Sequence, residues 1–154
     1  MTGFIKISLN TQGIVKNNMK QYHGSTEERK HRMELELKEL TGKIIAASIE
    51  VHKKLGPGFL ESIYQAALPI ELKSCGLTVE EQKSIRIIYD GKEIGLHRLD
   101  LVIEGQVIVE IKAVSAFDDS HMAQLLSYLK ATKLKVGLLI NFAKGTLKIK
   151  RTVN

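Results

Sequence analysis

A chain of 154 residues with 44% hydrophobic content suits one domain, or one domain with a tail, built on a single core of ordinary size. No apolar run is long enough to span a bilayer, the N-terminus lacks the compact apolar block of a signal peptide, and the lone Cys75 excludes an intramolecular disulfide. The expectation is a reduced cytoplasmic protein without a membrane partner, in which Cys75 is a helix-end residue.

The net charge of +6 is unevenly spread: six of the 23 basic residues and two of the 17 acidic ones precede Met33, which leaves +2 from Met33 onward. Residues 1–32 therefore read as a poorly ordered basic extension. A short strand over Thr2 to Leu9 gives way to a polar stretch with little periodicity, containing Lys16, Lys20, Arg29, Lys30 and Arg32. An upstream start or a basic arm that touches nucleic acid would each account for it.

The domain proper is expected over residues 33–154. Leu37, Leu40, Ile44, Ala47 and Val51 form a helical stripe between Met33 and Lys54, and Leu55-Gly56-Pro57-Gly58 ends it. A second helix is predicted from about Leu60 to Ser74, with Gly76 as its stop and Pro69 kinking or splitting it near Gln65. Glu61 in its first turn is favourably placed at a helix N-terminus whatever else it does. Strands follow over Leu77 to Gln82, Ser84 to Tyr89 and Glu93 to Arg98, with Asp90-Gly91 as the turn between the last two.

The most informative stretch runs from Leu99 to Lys112. Aliphatic residues flank Glu104-Gly105-Gln106, which reads as a hairpin, yet Asp100, Glu110 and Lys112 sit among residues that belong in a core. Glu110 and Lys112 share a face because side chains alternate along a strand. Asp100 joins that face only if the loop has three residues or a bulge restores the same register, and then it stands opposite Glu110. Two hard oxygen ligands side by side suit Mg²⁺ or Mn²⁺, and an ammonium beside them suits hydrolysis of a phosphodiester. Taken singly, each residue also has a plain reading: a polar residue near a strand start, and a solvated i,i+2 pair.

Beyond the hairpin, Asp118, Asp119 or Ser120 is expected to cap a helix reaching about Lys130. Met122, Leu125, Leu126 and Leu129 form its apolar face, with His121, Gln124 and Tyr128 on an adjoining stripe. Two strands, Lys135 to Asn141 and Thr146 to Val153, close the chain. After Asp119 there is no acid, whereas Lys130, Lys133, Lys135, Lys144, Lys148, Lys150 and Arg151 are basic. That end is either a solvated lysine face or a surface for a polyanion.

Several of these segments resemble the PD-(D/E)XK nuclease superfamily and, within it, the small bacterial GxxExxY proteins. The likeness runs from about Leu40 to the C-terminus. It comprises Gly58-Phe59-Leu60-Glu61-Ser62-Ile63-Tyr64, Leu99-Asp100, Glu110-Ile111-Lys112, Gln124-Leu125-Leu126-Ser127-Tyr128, Val136 to Phe142 and Leu147 to Arg151. Leu99 stands where the superfamily's name gives proline. The element order alone gives an α/β or α+β fold with a mixed sheet flanked by helices; the resemblance implies a restriction-endonuclease-like core.

The resemblance also implies a divalent-metal-dependent nuclease acting on DNA or RNA. Asp100, Glu110 and the Ile111 carbonyl would hold Mg²⁺ or Mn²⁺, and Glu61 would complete the acidic cluster. Lys112 would position water, Gln124 and Tyr128 would orient substrate or the lysine, and two copies pairing as a homodimer would be compatible with it. The alternative is a non-catalytic nucleic-acid-binding or regulatory protein that keeps the fold.

Overall fold

The computed structural model describes residues 24–154. The strand expected over Thr2 to Leu9, and the basic residues Lys16 and Lys20, lie outside the described residues.

Helix α1 spans Thr26–Leu55 and starts seven residues ahead of Met33. Its start is set by a capping box rather than by the apolar stripe: Ser25 Oγ accepts from the Glu28 N–H, and the Glu28 carboxylate accepts from the Ser25 N–H at 2.7 Å. Residues 26–32, expected to belong to the ill-ordered extension, are therefore helical. Helix α2, Glu61–Ser74, runs through Pro69 without splitting. Leu68, Pro69 and Leu72 are all buried, and that packing holds the turn which propensity alone would break.

Two long strands replace the three short ones expected before the hairpin. Strand β1 covers Val79–Tyr89 and β2 covers Lys92–Ile103, joined at Asp90-Gly91 with φ of +47° and +78°. Both residues take the left-handed region that a two-residue hairpin turn requires. Strand β3 (Val107–Lys112), helix α3 (Asp119–Thr132), strand β4 (Val136–Asn141) and strand β5 (Lys148–Val153) complete the fold.

The five strands form one sheet in the order β1-β2-β3-β4-β5. Strands β3 and β4 are parallel, connected through α3, and the other neighbours are antiparallel. This is the mixed sheet flanked by helices expected of an α+β fold. One core packs Leu40, Ile44 and Ala47 of α1 and Tyr64, Leu68 and Leu72 of α2 onto Leu101, Val109, Ile111 and Leu138. The other packs Leu125, Tyr128 and Leu129 of α3 onto Leu99, Val102, Ile108 and Leu139. Helix α3 lies so close to β4 that a Cβ on Gly137 would stand 2.7 Å from Leu125 Cδ1.

Candidate active site

The β2–β3 hairpin turns through three residues, Glu104 to Gln106, with Ile103 paired to Val107, Val102 to Ile108 and Leu101 to Val109. Glu104 and Gly105 both have positive φ, which closes the loop in the expected register. One step further along, Asp100 stands opposite Glu110, and there the backbone ladder stops. The carboxylates take it over: the Asp100 N–H donates to Glu110 Oε1 at 3.0 Å, and the Ile111 N–H donates to Asp100 Oδ2 at 2.9 Å. Both donors stay satisfied as the strands part, which is what allows two acids to be buried there.

Asp100 is skipped on its other side too. Pairing with β1 passes from Glu81–Leu101 to Lys83–Leu99, and Gln82 between them has φ +50°. The strict alternation of faces breaks at this point. Leu101 packs in the α1/α2 core and Leu99 in the α3 core, although both numbers are odd. The acids thus sit at a seam of the sheet that both helical layers reach.

From the α2 side, the Gln65 Nε2 group donates to Asp100 Oδ1 at 3.2 Å and to Glu61 Oε1 at 3.3 Å. Glu61 Oε2 accepts from the Ala113 N–H at 3.3 Å, just beyond Lys112. Glu61 is therefore tied to the acid pair through Gln65 instead of joining it as a third carboxylate. Among the described residues no three His, Cys, Asp or Glu side chains gather closely enough to hold one ion. Gln65 escaped the sequence reading; its i,i+4 spacing from Glu61 was the available signal. Tyr64 of the same helix does different work. Its hydroxyl donates to the Gly56 carbonyl at 2.7 Å and accepts from the Phe59 N–H at 3.2 Å, and its ring stacks on Phe142 at 4.7 Å. It clasps the 56–59 loop to the core and so fixes where α2 begins.

From the α3 side comes Tyr128, buried, with the Gln124 side chain near enough to its hydroxyl to influence its ionisation. Burial, with the charges of Glu110 and Asp100 behind it, pushes the Tyr128 hydroxyl up to about 12. Tyr128 is thus a neutral donor facing the acid pair. The ring of His97 lies 4.9 Å from that of Tyr128, and His97 Nε2 is 2.9 Å from Ser127 Oγ. His97 was not singled out from the sequence, because only the break at Gln82 and Asp100 aligns it with this face. His121 caps α3: its Nδ1 accepts from the Asp118 N–H at 3.0 Å.

Lys112 shares the face of Glu110 and lies opposite Asn141 of β4. Asn141 is buried and holds the chain just past Lys112. Its Oδ1 accepts from the Val114 N–H at 3.1 Å, and its Nδ2 donates to the Val114 carbonyl at 2.8 Å. Asp100 and Glu110 are only 9% and 3% exposed. Burial first, and the Asp100 charge second, push the Glu110 carboxyl up to about 8, against the pull of Lys112. The charged pair has an unmet need for positive charge. Carboxylate oxygens accept more than one bond each, so the donor set fits a hard divalent cation that keeps several waters.

Comparison with solved structures supports the fold. The crystal structure of SSO0001 is 22% identical with a TM-score of 0.50, over 82% of this chain and 62% of that one. The chain thus spans less than two thirds of that protein's length. A comparison with curated proteins finds no match. The PD-(D/E)XK nuclease superfamily model, by contrast, aligns with residues 38–152, a span that holds the acid seam and the helices closing on it from both sides, and the chain belongs to that superfamily.

Proposed function

We propose that this chain is a divalent-metal-dependent nuclease of the GxxExxY type, hydrolysing phosphodiester bonds of nucleic acid in the cytoplasm. The observation that carries the reading is the pair of buried carboxylates, Asp100 and Glu110, bonded into each other's strands where β2 and β3 part, with Lys112 on the same face.

Asp100 and Glu110, with the Ile111 carbonyl, are the residues to hold Mg²⁺ or Mn²⁺, which would acidify a water and offset charge on the phosphate. Lys112, partly buried, stands on the same face as Glu110. It orients the attacking water and stabilises negative charge growing on the phosphoryl oxygens. The water oxygen bonds to phosphorus as the P–O ester bond breaks; the water gives up its proton to bulk solvent, and the departing oxygen takes one from it. Gln65 and Glu61 are positioning residues, fixing the Asp100 carboxylate and the backbone after Lys112. Tyr128, kept protonated, offers a hydrogen bond from the α3 side, and Gln124 orients it.

The test incubates plasmid, single-stranded DNA and RNA with the protein in Mg²⁺, Mn²⁺ or EDTA, beside Asp100→Ala and Lys112→Ala. Cleavage that needs the metal and falls at least a hundredfold in both variants is expected, in line with the loss of one electrostatic group from such a site. Nucleic acid bound without cleavage under every condition would instead favour a binding module.

A further inference from the structure

The face that carries Glu110 and Lys112 continues sideways onto β5. Glu110 pairs with Leu139 and Leu139 with Lys150; Lys112 pairs with Asn141 and Asn141 with Lys148. Cross-strand partners share a face, so Lys148 and Lys150 stand in the same two rows as Lys112 and Glu110. They are two strand spacings away, about 10 Å.

Between this pair and the start of α3 lies a cleft of about 330 Å³. Phe117, Asn141, Lys144, Lys148 and Lys150 line it, and no acid does. Its walls are fixed. Asn141 grips Val114, Phe117 packs on the α3 core, and His52 Nε2 lies 2.7 Å from the Lys144 carbonyl. The Lys150 ammonium already stands 5.7 Å from the centre of the Phe117 ring. Lysines alone usually make a solvated face. A ring among them, in a cleft that shares Asn141 with the row of Lys112, is a different matter, because bases stack on aromatic faces while ammonium groups meet phosphates.

We infer that this cleft is a subsite for one unpaired nucleotide next to the scissile phosphate, its base stacked on Phe117 and its phosphates met by Lys148 and Lys150. The substrate is then a single strand, or a strand opened at that position. In an intact duplex the base is paired and stacked out of reach of the ring. The inference rests on the nuclease reading of the neighbouring acids, since they locate the scissile phosphate.

Fluorescence anisotropy in EDTA, with a labelled single strand and its matching duplex, each as DNA and as RNA, separates binding from cleavage. The single strand is expected to bind tighter than the duplex. Phe117→Leu, which keeps apolar packing, should weaken single-strand binding about tenfold and leave duplex binding unchanged, while Phe117→Tyr, which keeps a ring, should bind like the parent chain. Removing both lysines, Lys148→Ala with Lys150→Ala, should flatten the salt dependence by about 1.4 on a log–log plot, as expected for two single-strand phosphates.

A parent chain that binds duplex as tightly as single strand, or a folded Phe117→Leu chain with unchanged single-strand affinity, would overturn the subsite. Metal-dependent cleavage surviving that result would leave the nuclease reading intact. Ring-dependent binding without any cleavage would keep the subsite as a single-strand contact and remove the nuclease.

Discussion

Burying two carboxylates against each other is unfavourable unless one keeps its proton or a cation stands between them. Glu110 faces that choice. Its carboxyl is pushed up to about 8 from an ordinary 4.5, by burial and by Asp100. The folded chain without metal therefore holds a proton that the unfolded chain releases, and the resulting stability is complete below about pH 4.5 and lost as pH rises toward 8. The melting temperature of the metal-free protein should fall across that window, and Glu110→Gln should flatten the fall. A scan in which the variant keeps the parent's slope would contradict the assignment.

At this scale the sequence was informative about Asp100, Glu110 and Lys112, because acids and lysine in a core strand are conspicuous. It was silent about Gln65 and His97. Neither is unusual for its own element, and each acquires its place only from a neighbour in another part of the fold.

Elements were legible where their ends carry chemistry that acts locally. Asp118 caps α3, Asp90-Gly91 turns the β1–β2 hairpin, and the three-residue loop gives the register that brings the acids together. The start of α1 was missed because its signal, Ser25 with Glu28, lies outside the apolar stripe. The single long strands were missed because pairing with β2 resumes directly after Gln82, so that the irregularity at φ +50° interrupts the ladder without ending the strand.

Close packing of α3 was likewise hidden, and it yields a prediction. Gly137→Ala in an ordinary strand would stabilise by restricting the unfolded chain. Here the added methyl meets Leu125 at 2.7 Å, and Leu125 is fully buried. The variant should lose about 1–3 kcal/mol, read as a lower midpoint in urea with an unchanged slope. A midpoint at or above that of the parent would show that α3 can move away freely.

Across the whole molecule, two helical layers close on one sheet from opposite sides and meet at the place where its ladder is interrupted. The α1/α2 layer contributes Gln65 and Glu61, the α3 layer Tyr128 and Gln124, and the sheet the acids and Lys112. Helices on both faces of a mixed sheet were predictable from element order, since amphipathic segments must cover apolar strands. The seam was not, because it depends on two irregularities in separate strands coinciding.

That seam is an ion site only if both acids are needed together. Titration of the metal-free chain with Mn²⁺, followed by the loss of the free-ion electron paramagnetic resonance signal, measures this without reference to any substrate. One high-affinity ion per chain, lost in Asp100→Ala and again in Glu110→Ala, is the predicted result. Full binding by either variant, or no binding by the parent chain, would contradict it.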